Sequence, residues 1–139
     1  MIEVCCAIIF SGESVLAVQR GERSHHPYQW EFPGGKVEPG ESYAECIVRE
    51  IREELQVEIQ PLAKLQAVEY NYPGKSIRLI PFVCQLVQGN ITLTEHNHSI
   101  WISRDGLDQL NWQEADRRLL EINKSELLKR MMRKDDHDC

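Results

Sequence analysis

Apolar and polar positions along the chain separate into short β-type runs and one well-marked helical stretch. Ile2 to Phe10 is continuously apolar and partly β-branched, as in a buried strand. Ser11-Gly12-Glu13 is a turn, and Ser14 to Gln19 resumes as the second arm of a hairpin. Residues 20–30 are polar and turn-rich. Trp30-Glu31-Phe32 then forms a short strand that stops at Pro33-Gly34-Gly35, with Pro39-Gly40 as a further turn. Ala44, Ile47, Val48, Ile51 and Leu55 fall at i, i+3, i+4, i+7 and i+11, one apolar stripe of an amphipathic helix. Glu41 and Ser42 stand at its start, where a serine caps and an acid suits the helix dipole.

Beyond the helix, Val57 to Tyr70 reads as strand interrupted near Pro61. Tyr72-Pro73-Gly74-Lys75 turns the chain into a return strand, Ser76 to Val87. Gly89-Asn90 turns again ahead of Ile91 to Leu93, and Ser99 to Ile102 is a last short strand. A brief helical turn runs from Ser103 to Leu110. A helix follows from Gln113 to about Met132, with a break expected at Asn123-Lys124-Ser125. Mixed strands with helices on either side predict an α+β fold, a mixed sheet sandwiched between helices. We expect a single domain over residues 1–132 and a charged, frayed tail over residues 133–139.

Composition narrows the function classes. With 42% hydrophobic and 27% charged residues the chain is of ordinary globular composition. No apolar run approaches the roughly 18 residues of a membrane span. No leader pattern precedes the first strand, so a cytoplasmic protein without membrane attachment is expected. Four of the five cysteines lie in apolar patterns and none forms a CxxC pair, which predicts reduced thiols without disulfides or zinc. The net charge of −6 disfavours a nucleic-acid polymer as partner. A small phosphorylated substrate stays compatible if divalent cations stand between it and the acids.

The helix carries those acids. Glu50, Glu53 and Glu54, at i, i+3 and i+4, share one patch away from the apolar stripe. Arg49 and Arg52 relieve only part of their repulsion, and a hard divalent cation with oxygen ligands accounts for the cluster. A solvated acidic face is the bland alternative, and the upstream residues weigh against it. Pro33-Gly34-Gly35 permits a close backbone approach and offers a carbonyl oxygen, and Glu41 supports the cluster from behind.

Gly35, five residues, Glu41, seven residues, and then Arg49-Glu50-Ile51-Arg52-Glu53-Glu54-Leu55-Gln56-Val57 resembles the box of the Nudix hydrolases. Every fixed position matches except Gln56, where the family has a glycine that ends the helix in a left-handed conformation. The lead-in Trp30 to Lys36 and the segment Ile100 to Asp116 resemble the MutT-like branch, in particular members acting on CTP and modified cytidine triphosphates.

That resemblance implies metal-dependent hydrolysis of a nucleoside triphosphate, a (d)CTP derivative or 8-oxo-dGTP, to monophosphate and pyrophosphate. It implies Mg²⁺, with Mn²⁺ equally suited to oxygen ligands, and a monomer or homodimer. The Gly34 carbonyl, Glu50 and Glu54 would hold metal with Glu53 beside them, and Glu50 or Glu53 would be the base. Arg49 would orient a glutamate. Glu95, in Thr94-Glu95-His96-Asn97-His98, matches a loop glutamate that reaches the metal and serves as base, or it is a surface acid; His96 and His98 read as exposed. Lys36 and Arg20 match phosphate contacts or are solvated cations. Tyr72 matches an aromatic near the base or merely flanks a turn. Asp116 matches the base-reading position or caps the last helix. Nucleotide-sugar hydrolysis is the alternative, pointed to by Pro73 sixteen residues beyond the box. A non-catalytic nucleotide-binding module is a third reading, disfavoured because every box acid is kept.

Overall fold

The structure, a computed structural model, describes residues 1–131. Its elements are β1 (Ile2–Ser11), β2 (Ser14–Gln19), β3 (Trp30–Glu31), β4 (Gly34–Lys36), α1 (Tyr43–Leu55), β5 (Glu58–Lys64), β6 (Val68–Tyr72), β7 (Lys75–Gln88), β8 (His98–Ile102), a 3₁₀ turn (Arg104–Gln109) and α2 (Glu114–Arg130). The strands form one mixed sheet in the order β3-β2-β1-β7-β5, with β4 also on β1, β6 on β7 and β8 on β2. β1 and β7 run parallel from Ile2↔Ile77 to Phe10↔Gln85, which explains the unbroken apolar run of β1: both its faces are covered.

Side chains of β1 alternate between two cores. Cys5, Ala7 and Ile9 face α1 with Cys46, Ile47, Ile51 and Leu55. Cys6 and Ile8 face the α2 side with Trp112, Leu119 and Leu127. The sandwich expected from the sequence is therefore present, and four cysteines are buried and free.

Several local expectations give way. The Gly34–Lys36 segment is not a turn but a short strand antiparallel to β1, pairing Cys5 with Gly35 and Cys6 with Gly34. The stretch read as one strand from Val57 splits into β5 and β6; Pro61 stays within β5, beside a register shift. Ile91 to Leu93 is not a strand. Its loop donates Thr92 N–H to the Leu55 carbonyl and Thr94 N–H to the Glu54 carbonyl, satisfying helix-end acceptors that α1 leaves open. α2 continues through Asn123, whose buried amide bonds Gln66 N–H, the Gln66 carbonyl and the Leu119 carbonyl. A polar residue that reads as a helix break is instead a clamp between α2 and the β5–β6 connection. The helix end expected at Met132 and the tail over residues 133–139 lie outside the described residues.

α1 starts as the sequence implied. Ser42 caps it through Glu45 N–H, and the Glu45 carboxylate returns to Ser42 N–H. Ala44 is exposed, however, and the buried stripe is Cys46, Ile47, Ile51, Glu54 and Leu55. At the other end Gln56 takes the left-handed conformation itself, with φ +57°, and its N–H bonds the Arg52 carbonyl at 3.0 Å. A side chain in that region costs roughly 1 kcal/mol relative to glycine. Gln56→Gly is therefore expected to stabilise the fold by about 0.5–1 kcal/mol in urea unfolding, with an unchanged m-value.

Candidate active site

Two glycines bring the helix acids and the sheet together. A Cβ on Gly34 would lie 1.9 Å from the Cys5 carbonyl oxygen, so only glycine lets β4 sit on β1. A Cβ on Gly35 would lie 2.3 Å from the Glu50 carboxyl group, which occupies the space that glycine leaves. One turn on, Glu54 Oε2 accepts from Gly34 N–H at 3.2 Å. The expectation that all three box acids avoid the core fails for Glu54, which is 8% exposed. The Glu50 side chain is 15% exposed and that of Glu53 60%, so the three acids run from buried to solvent along one helix face.

Arg49 ties the exposed part together. Its Nε and Nη2 form a fork on Glu41 at 2.6 and 3.0 Å, and Nη2 also bonds the Lys36 carbonyl at 3.1 Å. Nη1 reaches Glu50 Oε1 at 2.9 Å and Glu53 Oε2 at 3.2 Å. Glu41 precedes the helix cap, and this fork holds its carboxyl down at about 2. The Arg49 guanidinium is correspondingly held charged by Glu41 and Glu50. Burial pushes Glu50 up despite Arg49. Among the described residues no cation pairs with Glu54: burial first, then the charges of Glu50, Glu31 and Glu95, push it to about 9.

Among the described residues, no three carboxylate, imidazole or thiolate groups converge at metal-holding distance, and Arg49 holds one oxygen each of Glu50 and Glu53. The donor set nevertheless fits a hard divalent cation. All donors are oxygens, the Glu54 carboxylate is buried without a counter-charge, and a bound cation would relieve the repulsion that raises it.

Beside this acidic face lies a cavity of about 500 Å³, sharing Gly34 with it. Arg20, Glu31, Phe32, Tyr72, Gln113 and Asp116 line it among others. Tyr72 does more than flank a turn: its hydroxyl accepts from Ala115 N–H at 3.0 Å and lies 3.3 Å from Gln113 Oε1. Asp116 is not the α2 cap, which is Gln113. It is 5% exposed, and its Oδ1 accepts from Phe32 N–H at 2.9 Å. Burial, with the charge of Glu31 adding to it, raises its pKa well above the aspartate range. Arg20 lines the cavity and bonds Glu31 Oε1 at 2.9 Å, whereas Lys36 is exposed and does not line it.

Glu95 is exposed on the loop between β7 and β8, and its charge contributes to the raised pKa of both Glu50 and Glu54. His98 is exposed as expected, but His96 is not. Its side chain is 7% exposed, and Nε2 lies 2.9 Å from Glu31 Oε2. Glu31 is the residue that sequence reasoning missed. It lines the cavity, bonds Arg20 and His96, and raises both Glu54 and Asp116. The available signal was an acid between two aromatics in a strand, which period-2 alternation turns away from the side that buries them.

The sheet order, with α1 held against β4 by two glycines, defines an α+β sandwich with an acidic helix face beside a cavity. The solution structure of the Escherichia coli ORF135 protein superposes with a TM-score of 0.78 at 35% identity, covering 90% of this chain and 89% of that one. MutT of methicillin-resistant Staphylococcus aureus 252 gives a TM-score of 0.73 at 38% identity, covering 93% and 96%. The chain belongs to the Nudix family: the NUDIX domain matches residues 1–121. It is 36% identical to the CTP pyrophosphohydrolase of Escherichia coli K12 over 87% of this chain and 90% of that protein. It is 30% identical to the 8-oxo-dGTP diphosphatase of the same organism over 68% and 73%. Nudix hydrolases generally need a divalent cation.

The buried Asp116 yields a pH test. An ordinary aspartic acid ionises near pH 3.9. Because folding raises Asp116, the folded chain keeps a proton that the unfolded chain releases, and stability falls as pH climbs from about 4 toward the raised value. Asp116→Asn keeps an oxygen for Phe32 N–H and cannot ionise. It is expected to lose less stability than wild type between about pH 5 and pH 8 in urea titrations.

Proposed function

We propose that this protein hydrolyses a nucleoside triphosphate to nucleoside monophosphate and pyrophosphate with Mg²⁺, and that its preferred base is cytosine or a modified cytosine. The observation that carries this reading is the shared wall at Gly34: a base-sized cavity on one side and the acidic face of α1 on the other. The match to a CTP pyrophosphohydrolase over most of both chains supports the same reading.

Gly34 through its carbonyl, Glu50 and Glu54 would hold the cation, with Glu53 and Glu95 facing it from the solvent side. When bound, the cation activates the attacking water and neutralises charge on the phosphate chain. Arg49 keeps Glu41 and Glu50 oriented through its fork. Glu53 or Glu95 takes the proton of the water as it attacks phosphorus in line, and pyrophosphate leaves. Arg20, at the cavity edge, is placed for a phosphate oxygen, and Tyr72 borders the base. Lys36 would reach phosphate only from the solvent side of β4.

Asp116 supplies the base preference. Burial favours the protonated form of its carboxyl, which offers one donor and one acceptor. Cytosine presents the complement, an acceptor at N3 and an amino donor at N4. The remaining acceptor capacity still serves Phe32 N–H.

Pyrophosphate release with Mg²⁺ across CTP, dCTP, 5-methyl-dCTP, dGTP, 8-oxo-dGTP and ADP-ribose tests this reading. Cytidine triphosphates should head the ranking, and Glu50→Gln and Glu53→Gln should each lower kcat by about 10²–10⁴. Cleavage of ADP-ribose alone would move the protein to nucleotide-sugar hydrolysis. Asp116→Asn, whose Oδ1 still accepts from Phe32 N–H while Nδ2 donates to N3, should keep the cytosine preference, whereas Asp116→Leu, with neither donor nor acceptor, should lose it.

A further inference from the structure

The loop from Thr92 to Asn97 is pinned at each position around Glu95. On the helix side, Thr92 and Thr94 N–H bond the carbonyls of Leu55 and Glu54, and the Thr94 hydroxyl bonds the Glu53 and Glu54 carbonyls. On the sheet side, Asn97 N–H bonds the Gln19 carbonyl at 2.9 Å and its amide bonds Gln19 Oε1 at 3.1 Å. Between them His96 turns inward, and its Nε2–H donates to Glu31 Oε2 at 2.9 Å. Glu31 is itself gripped from the opposite side by Arg20. The Glu95 carbonyl packs over Gly21, where an added Cβ would lie 3.4 Å from it.

His96 is an odd residue to bury for stability alone. Its Nδ1 is also buried, without a hydrogen-bond partner among the described residues. An unsatisfied buried nitrogen works against folding. A leucine would fill this volume without leaving a nitrogen unpaired. What the imidazole adds is one directional bond from the loop to an acid that also lines the cavity.

We propose that His96 is a positioning residue for Glu95. Through Glu31 it fixes the loop so that the neighbouring Glu95 carboxylate faces the acids of α1, and the chain Arg20–Glu31–His96 joins the edge of the base cavity to the reacting end of the site. This rests on reading the site as a triphosphate hydrolase in which Glu95 takes part.

A double-mutant cycle on the full-length protein with CTP and Mg²⁺ tests it. His96→Leu keeps the volume and removes the donor, His96→Gln restores a donor, and each is made with and without Glu95→Gln. His96→Leu is expected to lower kcat roughly 10–100-fold while KM moves less, as for other groups that orient a reacting side chain. His96→Gln should return most of that loss, and His96→Leu should cost little more once Glu95→Gln is present. Amide hydrogen exchange on the metal-free protein gives a second readout. His96→Leu should speed exchange at Asn97 and leave Thr92 protected. An undiminished His96→Leu loss in the Glu95→Gln background, an unchanged kcat, a fully active Glu95→Gln protein, or unaltered exchange at Asn97 would each overturn the proposal. If the wild-type protein cleaves no triphosphate, the reading of the site fails instead, while the exchange result still decides whether His96 holds the loop.

Discussion

The absence of side chains at Gly34 and Gly35 is the constraint on which the rest of the site depends. β4 lies so close to β1 that a methyl group at Gly34 would collide with backbone, and such a collision cannot be relieved by a rotamer change. At Gly35 the missing methyl is replaced by a carboxyl group. The helix therefore approaches the sheet with acids, not apolar side chains, at this one end of its contact. On the adjoining face, from either side of Glu50, the same helix closes the core with Ile47, Ile51 and Leu55 in the ordinary way. One amphipathic helix thus serves two interfaces, an oily one and a charged one, and the glycine pair separates them.

Electrostatics around this junction divide by depth. At the surface Arg49 balances Glu41, Glu50 and Glu53, and the arginine fork leaves Glu41 a strong acid. Deeper in, Glu54 and Asp116 are pushed toward the neutral form by burial, with Glu31 adding to both and the Arg20 charge offsetting only part of the effect on Asp116. The first of these buried acids faces the helix side of β4 and the second lines the cavity. A divalent cation answers the first problem, whereas a ligand with complementary hydrogen-bonding groups answers the second.

Much of the frame was legible in the sequence because it rests on local rules. Helical periodicity marks α1, serine three residues before Glu45 marks its cap, and Pro73-Gly74 marks the β6–β7 hairpin. The box acids, too, are recognisable by spacing alone. What stayed hidden depends on partners distant in the chain. Pro33-Gly34-Gly35 carries the chemistry of a turn, and only β1 makes a strand of it. Glu54 sits on the apolar side of the helix where no periodicity rule expects an acid, because Gly34 N–H receives it. Asn123 looks like a break until Gln66 supplies its partners, and His96 looks solvent-exposed until Glu31 does. Asp116 resembles a cap because it lies in a first helical turn, but its bond runs 84 residues back to Phe32.

The buried thiols have a practical consequence. Cys5, Cys6, Cys46 and Cys84 are between 0% and 1% exposed, and burial pushes Cys5 to about 11 and Cys84 to about 12. Thiolate, the species that alkylating reagents capture, is therefore scarce as well as shielded at neutral pH. These cysteines lie on both faces of the central strand and under the helix that carries the acids, so no single layer hides them all. The rate at which an alkylating reagent labels these four is consequently a built-in clock for opening of the whole sandwich, with no thiol to be engineered in.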